Sequence, residues 1–266
     1  MRVLLVALVL MLAAGGTFLA ARRGEGGVEL RYRVSFPANF AGDRKAAGLE
    51  IVRCLGTRLE NRRHYWMAFV DKVGMITFRI AGARLDQVPE LRRILEAEGR
   101  FEAYEIAAPE VRAYYEETGE VPHGYREMPM TEPLPQLNSW HRVDPGVCLV
   151  REAPVFGSEI LIPLKGRYSP FRYEGEPVLL LDLEMKSAAR YALEKASPGA
   201  KELLIVIEGK PRSITPIDYV GLDGFLWVPG VKDGAEAVEL EAILSAGRQP
   251  RPLGEPEIGV FRGKLR

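Results

Sequence analysis

The spacing of apolar residues predicts an α+β unit in the first part of the chain. Apolar and polar side chains alternate along residues 28–36, which is the period of a half-buried strand. Along residues 44–61 apolar side chains recur four apart, as in an amphipathic helix. Continued in this way, the pattern predicts strand 28–36, helix 44–61, strand 65–70, strand 75–80, helix 87–98 and strand 101–106. This βαββαβ order is that of a ferredoxin-like base, which we place at residues 28–107.

The middle of the chain, residues 108–176, has a different pattern. A short helix is predicted over 109–117, and eight prolines between positions 122 and 170 then interrupt the segment. Proline lacks a backbone N–H and breaks helices, so we expect no long regular element here. We interpret this stretch as an irregular linker that includes the start of a second domain.

A second, small α+β domain, the head, is predicted over residues 177–253. The expected elements are strand 178–183, helix 186–196, strand 202–207, strand 212–217, strand 225–228 and a helix that begins after Asp233 and ends before Gly247. Pro250 and Pro252 then turn the chain out of the head. Residues 254–266 are expected to return toward the base, with a strand at 257–261.

The N-terminal segment is apolar on every face. Residues 3–21 contain no charged side chain and have the length of a helix that spans a bilayer, roughly 17–25 residues. Arg2 and the amino terminus supply the positive charge that precedes a secretory signal. We therefore interpret residues 1–23 as a signal anchor or a cleaved signal peptide. The anchor is favoured because the best small-residue pair for cleavage, Ala14 and Gly16, lies inside the apolar run.

This segment also predicts where the protein resides. With an uncleaved anchor, the protein would have a single N-terminal span in the cell membrane and an extracytoplasmic, periplasmic body. With cleavage at the N-terminus, the body would be periplasmic or secreted. Both outcomes place the folded part outside the cytoplasm.

Charge and motif content exclude several classes of function. The 36 Lys and Arg residues balance 36 Asp and Glu residues, so the chain lacks the basic excess typical of nucleic-acid-binding proteins. Two cysteines and three histidines form no zinc or redox motif. Nucleotide-binding, serine-hydrolase and metalloprotease motifs are also absent from the sequence. We therefore expect no enzymatic activity, no cofactor and no metal.

Four residues allow two interpretations each. Asp182 and Glu184 lie two apart on a predicted strand, as in an acid–base pair, but without a histidine partner we favour the solvated edge of a strand. Cys54 and Cys148 are expected to be buried, inert thiols in a helix and a strand. In an oxidising compartment they would also be able to form a disulfide.

Several segments resemble the SecD protein-export subunit family. Residues 203–217, LLIVIEGKPRSITPI, are similar to the family stretch "lAIvLDGkvySAPvI", and the later helix ending LSAGRQPRPL is similar to "eeAxxLaxxLraGaLPxPL". Residues 49–106 follow the N-terminal pattern of the family. The Asp-Leu-x-Gly-Gly signature that follows the first span in the family is absent, and AGDRKAAG occupies that position. The resemblance is to the first periplasmic domain, base plus head, without the transmembrane motor.

This resemblance implies a non-enzymatic, membrane-tethered accessory of preprotein translocation. Its implied partners are Sec translocon subunits or an unfolded secreted polypeptide, with the membrane contacted through residues 3–21 and no nucleic acid involved. The candidate contact residues in the best-matching region are Lys210, Arg212, Ser213, Pro216, Phe225 and Trp227. The alternative is an envelope binding or scaffold domain that kept the fold without a role in export.

Overall fold

The chain folds into two units. The computed structural model describes residues 26–137, 142–173, 176–194, 201–220 and 224–265. Unit 1 comprises Met1–Glu96 and Pro250–Arg266, and unit 2 comprises Ala97–Gln249. The apolar segment 3–21, predicted as a membrane helix, lies outside the described residues. Within the described residues, every helix is too short or too polar to cross a membrane.

The helices and strands are numbered in chain order. The helices of the described residues are α1 (Arg44–Asn61), α2 (Val88–Glu96), α3 (Pro109–Thr118), α4 (Ser187–Glu194) and α5 (Gly234–Ser245). The first eight strands are β1 (Gly27–Arg33), β2 (Tyr65–Val70), β3 (Met75–Ala81), β4 (Phe101–Glu105), β5 (Tyr125–Met130), β6 (Leu134–Pro135), β7 (Arg142–Val143) and β8 (Gly146–Arg151). The others are β9 (Phe156–Gly157), β10 (Leu161–Tyr173), β11 (Glu176–Met185), β12 (Glu202–Ile207), β13 (Lys210–Pro216), β14 (Phe225–Val231) and β15 (Glu257–Phe261).

Unit 1 is a four-stranded antiparallel sheet with two helices on one face. Its strand order is β15-β1-β3-β2. Asp43 starts α1, because its side chain accepts a hydrogen bond from the backbone N–H of Lys45 at 2.8 Å and so satisfies one of the free donors of the first turn. The alternating residues of β1 and β3 pack against the apolar stripes of α1 and α2 in one core, which contains Val28, Leu30, Tyr32, Ile51, Leu55, Leu59, Ile76, Phe78, Ile80, Leu91 and Leu95.

The predicted α+β class is confirmed, but one strand pairs differently from the prediction. We expected the strand at 101–106 to complete the first sheet. Instead β4 pairs with β12 in unit 2, and β15 takes the free place beside β1. The alternation of residues shows that a segment is a strand, but it carries no information about which strand lies beside it. The predicted return of the chain as a strand at 257–261 agrees with β15.

Unit 2 contains two larger sheets around one core. Their strand orders are β13-β12-β4-β9 and β10-β11-β14, and two short pairs, β5-β8 and β6-β7, accompany them. The core between them holds Phe101, Ala103, Leu181, Leu183, Leu203, Ile205, Leu226, Val228, Leu240 and Leu244. Helix α5 approaches β10 closely at Gly166, where an added Cβ would lie 2.8 Å from the Glu241 side chain. A residue without a side chain is therefore needed at that crossing.

The expectation that residues 108–176 contain no long regular element is wrong. This segment holds helix α3 and strands β5 to β10, and β10 alone has 13 residues. Two prolines, Pro163 and Pro170, fall within β10. Strand β10 lies at the edge of its sheet, and an edge strand has one side on which a missing N–H is tolerated. Proline content therefore indicated an edge strand here and not a linker.

Candidate functional site

The six candidate contact residues lie on two consecutive strands of unit 2 that belong to different sheets. Lys210, Arg212, Ser213 and Pro216 belong to β13, whereas Phe225 and Trp227 belong to β14. Their side chains differ in exposure: Ser213 and Pro216 are buried, and Lys210 is exposed. The Arg212 guanidinium is partly buried and donates to Glu236 Oε1 at 2.9 Å. The sequence-predicted set is therefore only partly available to a partner.

Phe225 and Trp227 point away from the core of unit 2. The alternate residues of β14, Leu226 and Val228, are buried in that core, so Phe225 and Trp227 occupy the opposite face of the sheet. Trp227 is 37% exposed. This large aromatic side chain therefore has a substantial surface that a partner is able to cover.

Two charged residues lie beside these aromatic rings. Trp227 pairs with Asp182 of the central strand β11, which in turn pairs with Arg167 of β10. Arg167 Nε donates to Asp182 Oδ2 at 2.9 Å, and its guanidinium lies 4.7 Å from the centroid of the Phe225 ring. We call this set of Arg167, Asp182, Phe225 and Trp227 the outer row. It combines exposed aromatic surface with a cation, which suits an extended polypeptide.

The structure corrects the interpretation of Asp182 as a residue on a solvated edge. Strand β11 is central in its sheet, and Asp182 is buried. A buried carboxylate requires a compensating partner, and Arg167 supplies one. Sequence reasoning did not find Arg167, because its position opposite Asp182 depends on the register of β10 and β11.

Glu208 has a structural role that the sequence did not predict. Its carboxylate accepts hydrogen bonds from the backbone N–H of Glu98 at 2.8 Å and of Arg100 at 2.7 Å. Glu208 and Gly209 form the turn between β12 and β13, and both have positive φ, as a two-residue hairpin turn of type I′ requires. The Glu-Gly pair thus signals the turn in the sequence. The contact with residues 98–100 is visible only in the fold.

Cys54 and Cys148 are not joined in a disulfide. Burial raises the pKa of Cys148 to about 11 and also raises the pKa of Cys54. Since the thiolate is the reactive form, both are held in the unreactive state at neutral pH. Among the described residues, His, Cys, Asp and Glu side chains form no group of three or more that would hold a metal ion.

A cleft of about 630 Å³ in unit 2 is lined by apolar residues such as Val155 and Phe156 and by charged residues that include Arg100 and Lys186. Arg100 donates to Glu102 Oε1 at 2.8 Å, and Lys186 Nζ donates to the carbonyl oxygen of Glu159 at 2.8 Å. These contacts leave the outer row as the better candidate for a functional surface.

The comparisons with known proteins point to one fold. No protein-family model and no curated protein sequence matches the chain. Among solved structures, it is similar to one described as "Crystal structure of SecDF in Super-membrane-facing form", with a TM-score of 0.58 and 16% identity. That match covers 90% of this chain and 30% of the SecDF chain. The fold resembles that of SecDF.

A second match to SecDF covers the whole of a shorter chain. That structure is described as "Structure and function of a membrane component SecDF that enhances protein export". The TM-score is 0.58 at 15% identity, over 88% of this chain and 100% of the other. The resemblance to the SecD periplasmic domain is therefore confirmed at the level of the fold. This chain spans about 30% of the longer SecDF chain.

Proposed function

We propose that this protein is a non-enzymatic, SecD-like accessory of preprotein translocation. Its body lies outside the cytoplasm and is tethered to the membrane by residues 3–21. The observation that carries the proposal is the match over 88% of this chain to all of a SecDF chain described as enhancing protein export. A fold does not determine a function by itself, so the proposal also needs a surface that suits the task.

The outer row and the exposed Lys210 are the proposed contact surface for an emerging polypeptide or a translocon subunit. Exposed aromatic rings such as Trp227 offer apolar area to side chains of many kinds, because ring packing does not depend on a particular sequence. Lys210 adds an exposed cation at the start of β13. Because Ser213 and Pro216 are buried, we assign them the role of shaping β13 and not of touching a partner.

In-cell crosslinking tests this surface. A photoreactive amino acid replaces Trp227 in one variant and Lys210 in another. The control variant carries it at Val73, which is 62% exposed in unit 1. We expect adducts with translocon subunits or nascent secreted chains from positions 227 and 210, and several-fold fewer from position 73. If position 227 gives no such adduct while the protein is folded and abundant in the envelope, the export role is wrong.

A second candidate function is a membrane-tethered scaffold or binding domain of the envelope. The sequence lacks the Asp-Leu-x-Gly-Gly signature that follows the first membrane span in the SecD family. This difference from the family favours the scaffold function. The same crosslinking experiment separates the two functions. Adducts from Trp227 only with envelope proteins unrelated to export would support the scaffold.

A further inference from the structure

One end of the unit 1 sheet lies where β1 begins, next to Gly26, the first residue that the structure describes. Gly27 pairs with Ala81 of β3 and with Phe261 of β15, and Tyr65 of β2 also pairs with Ala81. The backbone N–H of Gly82 donates to the carbonyl oxygen of Gly26 at 3.0 Å. These residues form one row at the end of all four strands, which we call the proximal end.

The proximal end is rich in exposed basic side chains. Each of three strands has basic residues just beyond the row, and all of them are exposed: Arg63 before β2, Arg84 after β3, and Arg262 and Lys264 after β15. Acidic residues are fewer there, and Asp86 is paired with Arg84. The other end of the sheet also carries exposed basic residues, Arg33 at the end of β1 and Lys72 in the β2–β3 turn, together with the exposed acidic residues Asp71 and Glu257. The proximal end thus has four exposed basic residues, of which Arg84 is paired with Asp86.

Exposed apolar side chains accompany this charge. Leu85 is 57% exposed, Ile258 is 48% exposed and Val260 is 68% exposed. Val260 pairs with the buried Val28, so it lies on the helix-bearing face of the sheet, beyond the part that the helices cover. A groove of about 600 Å³ runs between α2 and β15, and its lining includes Leu85 and Ile258. An apolar surface of this kind beside basic residues is typical of an interaction site.

We propose that the proximal end, with Leu85 and Val260, lies against an anionic lipid bilayer. The inference rests on the membrane attachment given under Proposed function, but not on the role in export. Residues 22–26 connect the apolar segment to β1, and five residues span at most roughly 17 Å. If residues 3–21 span the bilayer, Gly26 is therefore held close to the lipid headgroups. Apolar side chains then enter the interface, and the Lys and Arg side chains attract anionic lipids near the surface.

Fluorescence quenching by lipid tests the contact in the full chain. The chain is reconstituted in phosphatidylcholine vesicles with or without phosphatidylglycerol, and the lipids carry a nitroxide in the headgroup region. A fluorescent amino acid replaces Val260, which is 68% exposed, or as the control Val73, which is 62% exposed in the β2–β3 turn at the opposite end of the sheet. We expect several-fold stronger quenching at position 260 in the anionic vesicles. High salt should reduce the difference, because it screens exposed charges.

Matched charge reversals test the basic residues themselves. In the variant with Arg262→Glu and Lys264→Glu we expect the quenching at position 260 to be lost. In the control, Lys45→Glu with Lys72→Glu makes the same change in charge at exposed positions outside the proximal end, and quenching should persist. Both variants should still float with the vesicles through residues 3–21.

Three results would overturn the inference. The first is protection of position 260 from lipid in a chain that floats with the vesicles, and the second is capture of another copy of the chain by a crosslinker at that position. Equal effects of the two charge reversals would also contradict it. A chain that does not float at all refutes the membrane attachment, whereas a negative crosslinking result at Trp227 refutes only the export role.

Discussion

At the scale of single residues, Glu29 shows how one charged side chain is stabilised in unit 1. It lies on β1 between two inward-facing residues, so its carboxylate points to the face of the sheet opposite the helices. Arg79 Nε donates to Glu29 Oε2 at 2.6 Å, and Arg31 Nε donates to Oε1 at 2.8 Å. The hydrogen bond from Arg79 is the main cause that lowers the pKa of Glu29, and Arg31 acts in the same direction against the cost of burial.

This lowered pKa predicts a pH-dependent contribution to stability. The carboxylate stabilises the fold above the pKa of an unfolded glutamate, about 4.3, and the stabilisation is lost as the pH falls through the lower folded-state value. We expect Glu29→Gln to lower the free energy of unfolding by about 1 kcal/mol at pH 7, because both arginines are partly exposed and solvent screens the pairs. Urea unfolding of both proteins at a series of pH values measures this.

The comparison needs a surface pair as its control. Asp86→Asn removes the partner of Arg84 where both side chains are exposed, so we expect no measurable change in unfolding free energy. The difference between Glu29→Gln and the parent protein should begin to shrink as the pH falls below about 4.3, and it should vanish only below the lowered folded-state pKa of Glu29, where the carboxyl group is neutral in both states. A difference that stays constant between pH 7 and pH 3 would contradict the role of the ion pairs.

At the scale of elements, the packing of α1 on the sheet depends on two glycines. An added Cβ at Gly48 would lie 2.5 Å from Val70 Cγ1, and one at Gly56 would overlap the indole ring of Trp66. Both glycines lie in the interior of a helix, where alanine is normally preferred by about 1 kcal/mol. Because α1 lies so close to β2, a side chain at Gly48 or Gly56 would collide with the sheet. The tertiary packing therefore requires glycine at these positions, although the helix alone would favour alanine.

The packing predicts the sign of a glycine substitution. Gly56→Ala gains about 1 kcal/mol of helix propensity but forces the large, partly buried Trp66 ring to move, which costs about 1–3 kcal/mol. We therefore expect a net loss of about 1 kcal/mol, measured as a lower midpoint of urea unfolding with an unchanged slope. The control is Gly234→Ala at the first position of α5, where no atom lies within 4 Å of the new Cβ. It should leave stability equal or higher, and a gain from both substitutions would contradict the packing argument.

At the scale of the whole molecule, unit 2 is inserted into unit 1. The chain leaves unit 1 after Glu96 and returns at Pro250. The backbone N–H of Gln249 donates to the carbonyl oxygen of Glu98 at 2.6 Å, so the two ends of unit 2 lie side by side. Because the two ends of unit 2 lie side by side, a short connection between residues 96 and 250 is able to replace it. Unit 1 therefore does not need unit 2 to close its chain.

The insertion predicts that unit 1 folds by itself when its two segments are joined. In a variant that links residues 26–96 to 250–265 through a short Gly-Ser sequence, we expect cooperative unfolding and dispersed amide resonances. A matched chain of residues 26–96 alone lacks β15, so the edge of β1 is left unpaired, and it should be markedly less stable. If the joined variant is unfolded, or if the shorter chain is equally stable, the independence of unit 1 is wrong.

Local order was predictable from the sequence, because each element depends on residues near it in the chain. The repeat of Ala47, Ile51, Leu55 and Leu59 after Asp43 gives the bounds of α1, and Asp233 caps α5 by accepting from the backbone N–H of Glu236. The buried run of β12 likewise marks a strand covered on both faces. Helix caps, apolar stripes on helices and the alternation of residues along strands each involve only residues close together in the sequence. They can therefore be recognised without knowing the fold.

Only the tertiary structure decided which residues far apart in the sequence lie beside each other. In the fold, β4 pairs with β12, β15 pairs with β1, and Asp182 lies opposite Arg167. Arg58 is buried, and its Nη1 donates to the carbonyl oxygen of Ile94 at 3.0 Å. These contacts depend on the register of the strands and on which surfaces lose contact with water when distant segments pack together. Both properties exist only in the folded chain. The sequence determined most helices and strands outside residues 108–176, the α+β class and the resemblance to SecD. Only folding decided which candidate side chains remain exposed to a partner, because burial depends on everything packed around them.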